Sequence, residues 1–164
     1  MRRMSSHPHS GILWWCLLAA GIFSGTLAGL CSVLLMAKLF GFDHQEYVTM
    51  LPKSITTAIG MGVSEELGGI VTITVAVIII TGVLGNMIAE VVYKIAKIEE
   101  PIAKGLGLGT SAHAIGTAKA MELGPVEGAM SSLAIAVAGL LTVVGASVFA
   151  GMMEKEISLG ISNT

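Results

Sequence analysis

Three stretches of this chain, residues 11–37, 67–89 and 128–153, contain no Asp, Glu, Lys or Arg. Each is long enough to cross a bilayer as a helix, which takes about 20 apolar residues for a hydrocarbon core ~30 Å thick. In lipid every backbone N–H and C=O needs a partner within the chain, so such runs are helices. β-branched stretches such as "IVTITVAVIII" would favour strand in water. Here the runs are too long and lack the alternation of a half-buried strand. Composition agrees: 12% of residues are charged, against about 25% in soluble domains. The expected class is an all-α integral membrane protein of the cell (inner) membrane, multi-pass and in contact with the lipid bilayer. A net charge of −2 and the lack of a basic face set nucleic acid aside.

Carried to their interfacial ends, the spans are expected at about 11–37, 67–92 and 127–153. They form one membrane domain over 11–154, between an N-terminal segment 1–10 and a polar C-terminal tail 155–164. Arg2 and Arg3 before the first run resemble a signal peptide. The run is too long for that and lacks a small-residue cleavage site, so an uncleaved span is expected. Cys16 and Cys31 lie fifteen residues apart on it, roughly 22 Å along a helix and beyond disulfide reach; they read as apolar packing residues. Gly21, Gly25 and Gly29 form a small-residue seam on one face, and Gly82 and Gly85 a second. Such seams let helices approach closely. With only three spans, they are expected to pack against other subunits, making a homo-oligomer, or against missing segments.

Two semi-polar segments, 51–66 and 105–123, alternate with the spans, and they are related. "AIGMGVSEELG" from Ala58 and "AIGTAKAMELG" from Ala114 align without a gap at an offset of 56 residues. Six of the 14 positions from Thr56 are identical, where chance gives roughly one, so the pair reads as an internal repeat. The charge-free parts, Ser54–Ser64 and Gly105–Ala118, would extend as helix roughly 16 and 21 Å, short of a full crossing. Both segments are expected to be re-entrant or broken helices, tolerated at membrane depth only against protein or a watery cavity. Arg2 and Arg3 then share one side with Lys94, Lys97 and Lys104, which the positive-inside rule makes cytoplasmic, the N-terminus included. The second copy starts from the opposite face, giving an inverted repeat of the kind found in secondary transporters.

The candidate site residues lie in these segments. Pro52 suits the first turn of a helix. Lys53, Ser54, Thr56 and Thr57 would cluster there, where free N–H groups and the helix dipole favour an anion. A snorkelling lysine beside an ordinary cap accounts for them equally well. Ser111 is expected to cap a helix running to Glu122. His113, the counterpart of Thr57, shares a face with Thr117; at membrane depth a histidine needs a cavity or partner, and its ordinary pKa suits proton coupling. A structural hydrogen bond is the plain alternative. Glu65, Glu66 and Glu122 could titrate or bind a cation, though such residues more often mark solvated helix ends. Asn86 could bond between helices, and Lys119 is a substrate contact or an anchor. "GLGLG" at 105–109 has no preceding strand and reads as backbone flexibility. No nucleophile elbow, phosphate loop or metal-ligand spacing is present. The expectation is a non-enzyme without cofactor or metal.

"LPKSITT", "GVSEELGGI", "GLGLGTSAHAIGTAKAMELG" and "EGAMSSLA" resemble, in this order, motifs of the LrgB/CidB family of multi-pass membrane proteins, over roughly Leu35–Gly145. That family is named for antiholin-like proteins thought to modulate murein hydrolase activity and lysis with a holin-like membrane partner. A plastid relative is a glycolate/glycerate translocator, and bacterial relatives are linked to pyruvate transport. The resemblance implies a small-carboxylate transporter, with an antiholin-like regulator of lysis as the alternative. Family members are usually longer, so an N-terminally truncated member is expected. Ala58 and Val71 stand where the family usually has proline, and Lys119 where it has arginine. Loss of the prolines is expected to straighten the helix breaks.

Overall fold

The computed structural model describes residues 8–158, all-helical with no strand among them. The order is α1 (Pro8–Phe40), α2 (His44–Met50), α3 (Thr57–Glu66), α4 (Val71–Ile95), α5 (Pro101–Leu123) and α6 (Pro125–Ser158). Ile12–Phe40, Val71–Ile95 and Pro125–Lys155 are long and apolar enough to cross a membrane. These are the three expected spans, shifted by a few residues at their ends. Most of the 1–10 segment, with Arg2 and Arg3, and residues 159–164 of the 155–164 tail lie outside the described residues.

α1 and α6 run side by side in the same direction. Ile22 clusters with Ala134 and Ala138, and further along Leu30, Val33 and Ala37 meet Ala146, Ala150 and Met153. Between helices in lipid there is little hydrophobic drive, so small residues that permit close contact supply the packing. The alanines of α6 do this here.

The sequence does not announce α2. A capping box starts it: Asp43 accepts from the Glu46 N–H at 2.7 Å, and the Glu46 carboxylate accepts from the Asp43 N–H at 3.1 Å. Tyr47, Val48 and Leu51 then pack into the α1–α6 core. α3 begins at Thr57, not at Pro52, which lies in the preceding turn. Gly68, at φ +80°, turns the chain from α3 into α4. The breaks survive without the family's prolines: Ala58 and Val71 fall in the first turns of α3 and α4, where other residues also start a helix.

α5 is not one rod. His113 has φ 42° and ψ −133°, and the chain doubles back there. A Cβ on Gly116 would stand 2.6 Å from Ala112 Cβ and 2.8 Å from the Leu108 carbonyl, which a continuous helix would keep well apart. Both arms lie along the first turns of α6: Gly105 against the Glu127 carbonyl, and Met121 against Gly128.

The glycine seams are filled from within the chain, which corrects the expectation of other subunits there. Gly21 faces Leu106, Gly25 faces Thr110 and Gly29 faces Ser54, while Gly82 faces His113 and Gly85 faces Ala112. "GLGLG" is helical and likewise a packing feature: a Cβ on Gly109 would sit 2.5 Å from the Ser131 carbonyl. Cys16 and Cys31 are free and exposed, not packed. Gly109→Ala should therefore lower stability by about 1–3 kcal/mol through overpacking. Gly62→Ala, in open space on α3, should be neutral or stabilising by up to about 1 kcal/mol. Thermal unfolding in detergent checks both.

Candidate functional site

The two semi-polar segments meet in the interior. Ser54 approaches Gly29 of α1, and Thr110 approaches Gly25 one turn away. A cavity of about 630 Å³ opens between α1, α4 and α5, and Lys53, Ser54, Thr110 and Ser111 supply most of its polar lining. Lys53 Nζ donates to Ser54 Oγ at 3.4 Å, and burial pushes the ammonium below the usual lysine range. Of the expected site residues, Lys53, Ser54 and Ser111 share this space. Lys53 and Ser54 come from the turn before α3, so they are not at a helix N-terminus. Thr56 is the N-cap of α3 without a side-chain cap bond, and Thr57 opens the helix. Ser111 caps nothing: it lies inside the first arm of α5 and donates to the Gly107 carbonyl at 2.6 Å.

His113 and Thr117 do not line that cavity. His113 Nε2 lies 2.9 Å from the Ile78 carbonyl of α4. The acceptor can only be the carbonyl, so this nitrogen carries the proton and donates. The ring is buried and packs on Gly82, where a Cβ would come within 2.8 Å of Cε1. Thr117 donates to the His113 carbonyl at 3.0 Å and stands 2.7 Å from Ser131 Oγ, whose own proton serves that contact. Asn86 donates to the Ile115 carbonyl at 3.2 Å. Together these groups satisfy the backbone where α5 breaks, the condition for broken helix away from water.

The charged candidates sit at the periphery. Glu65, Glu66 and Glu122 are exposed. Lys119 pairs with Glu90 of α4 at 2.7 Å and with Glu122 at 3.3 Å, tying the second arm of α5 to the end of α4.

Sequence reasoning missed several buried hydroxyls. Thr49 Oγ1 accepts from the Ile70 N–H at 2.8 Å, and Thr74 Oγ1 donates to the Thr49 carbonyl at 2.9 Å beside Ser64 Oγ at 2.7 Å. Ser131, Thr110 and the buried Glu127 in the first turn of α6 were also passed over. Thr74 and Ser131 lie inside charge-free spans, where a hydroxyl in an apolar run was the available signal.

The fold and its polar interior define a multi-pass membrane protein with helix breaks sealed by hydroxyls and one histidine. Residues 13–152 match the LrgB-like family. The proteins named antiholin-like protein LrgB from Bacillus cereus (strains B4264 and AH187) and Bacillus anthracis (strain A0248) are each 41% identical over 131 residues, covering 80% of this chain and 56% of theirs. The chain thus spans a little over half the length of these relatives. No solved structure matches it. The chain belongs to the LrgB-like family.

The break itself yields a prediction. A non-glycine residue at this φ and ψ costs of order 1–3 kcal/mol. His113→Ala keeps that strain and loses the bond to Ile78, whereas His113→Gly loses the bond but relieves the strain. His113→Ala should melt at a lower temperature than His113→Gly. The reverse order would mean that backbone strain is not what His113 bears.

Proposed function

We propose that this protein is an antiholin-like regulator of murein hydrolase activity and lysis that acts by pairing with a holin-like membrane protein. The observation that carries this is the 41% identity to proteins named antiholin-like protein LrgB. The exposed flanks of α1 and α4 offer the contact area. Leu13, Trp14 and Leu17 on α1 and Ile80, Met87 and Ile95 on α4 are all more than half exposed, so a partner helix, or a second copy in a homo-oligomer, can pack there without disturbing the interior. No catalytic chemistry, metal or cofactor is invoked.

The second reading is a small-carboxylate transporter of the glycolate, glycerate or pyruvate class, favoured by the cavity that gathers Lys53, Ser54 and Ser111. A half-buried ammonium beside hydroxyls is suited to a monoanion. His113 and Thr117 serve this reading as the hinge of α5, not as ligands. Two arms of one experiment separate the readings. Co-expression with a holin-like protein should yield a complex surviving affinity purification, and folded protein in liposomes should take up labelled glycolate or pyruvate no faster than empty vesicles. Uptake lost in Lys53→Gln, with no complex recovered, would make the transporter the function.

The topology proposed is an inverted repeat of two re-entrant hairpins inserted from opposite faces, with the N-terminus in the cytoplasm of the cell. Contact levels support it. Thr49 and Ser64 both reach Thr74 near the start of α4, whereas Glu90 and Tyr93, near its end, bond Lys119 and the Lys104 carbonyl. The tips converge near Ile78, touched by Gly60 from one side and His113 from the other. With Cys16 and Cys31 replaced by alanine, Asp43→Cys and Glu66→Cys should label from one side of the membrane, and Glu99→Cys and Glu122→Cys from the other. Labelling of positions 43 and 66 from opposite sides would mean that the first segment crosses.

A further inference from the structure

Where α4 ends and α5 begins, the chain forms a second recess, of about 370 Å³, whose charged lining is Lys94, Lys97, Lys104, Glu90 and Glu99. Its back wall is fixed. Tyr93 donates to the Lys104 carbonyl at 2.7 Å, tying the two helices together. Lys97, at φ 53°, turns the chain back over the end of α4, and the Ile98 N–H closes onto the Tyr93 carbonyl at 2.9 Å. Glu90 is already paired with Lys119 at 2.7 Å. Among the described residues, none of Lys94, Lys97 and Lys104 makes an ion pair. Three cations therefore face one carboxylate not otherwise engaged.

The surroundings point to lipid and not to a free solute. Ile80, Val83 and Met87 are exposed and spaced three and four residues apart, so they run along the same face of α4 as Glu90 and Lys94. At the same end of the bundle Trp14 of α1 borders Glu100, just before α5, and Ile102 in its first turn, and Trp14 and Trp15 are both exposed. Tryptophan gathers at the headgroup level of a bilayer, and basic pockets between membrane helices receive anionic headgroups.

We propose that this recess binds an anionic phospholipid. Its phosphate rests among Lys94, Lys97 and Lys104, and its acyl chains lie along Ile80, Val83 and Met87. The site is separate from the Lys53 cavity and independent of whether the protein regulates lysis or transports a carboxylate. With each basic residue near the surface adding its share, three lysines correspond to a preference on the order of a hundredfold.

Delipidated full-length protein in a neutral detergent, titrated with phosphatidylglycerol or phosphatidylcholine and followed by native mass spectrometry, reads that preference. Phosphatidylglycerol should be retained at least tenfold better. The triple change Lys94→Gln, Lys97→Gln and Lys104→Gln should abolish the difference, and the corresponding triple change to Arg should keep it, which separates loss of charge from loss of fold. An undiminished preference in the Gln variant, alongside an unchanged melting temperature, would overturn the site. Displacement of the lipid by millimolar inorganic phosphate would also overturn it, by assigning the recess to a soluble anion.

Discussion

One hydrogen bond holds the centre of this molecule: His113 Nε2 to the Ile78 carbonyl, 2.9 Å. It joins the break in α5 to the middle of α4. A carbonyl inside a helix normally has its bond along the helix, so it accepts this second one with its remaining lone pair. The histidine thereby fixes a backbone conformation that L residues rarely adopt. Around it Thr117, Ser131 and Asn86 bind the nearby polar groups. Without such cover, a helix reversal away from water would leave several peptide groups unpaired, each costing several kcal/mol in hydrocarbon. The fold depends on this point because both arms of α5, and the turns of α6 that they cover, are set by where the reversal occurs.

The glycines make the reversal possible sterically. Gly116 lets the second arm lie on the first, Gly105 and Gly109 let the first lie on α6, and Gly82 and Gly85 leave room on α4 for the tip. A hairpin of this kind is thicker than a single helix and fits only where its neighbours are thin. This explains why glycine pairs spaced three or four residues apart occur in so many of the helices, and why none of them requires a second molecule.

The three spans and the two weakly polar segments between them were legible because charge is nearly absolute information in a membrane protein: a run of over twenty residues without it has few other fates. The repeat at the 56-residue offset was visible for a related reason, since small residues are retained where backbones touch. The site was less legible. Lys53 and Ser111 could be nominated by chemistry, but their meeting depends on a reversal at His113 that no propensity encodes; histidine is no helix breaker, and its enrichment at positive φ is mostly in the αL region, not at the ψ of −133° found here. Ser111 reads as a cap by type and position, yet a hydroxyl within a helix can bond the carbonyl four residues back. Thr74 and Ser131 were hidden by their apolar neighbours. Their partners, Thr49 and Thr117, come from other elements, and pairings across elements are what a single chain of letters conceals.

The distribution of polarity also limits how a membrane partner could act. Every seam of small residues is occupied internally, so a partner cannot insert between helices without displacing the hairpins. It can reach the outer faces of α1, α4 and α6, where Trp15, Met87 and Leu140 are among the exposed apolar side chains. In lipid such faces gain little from apolar contact alone, because acyl chains provide the same environment. Specific pairing then has to come from the ends, where Lys94, Lys97, Lys104 and the exposed tryptophans offer charge and hydrogen bonds. An anionic lipid held in that recess would neutralise the same lysines that a partner's acidic loop would seek. Lipid binding and protein pairing at this end of the bundle would therefore compete.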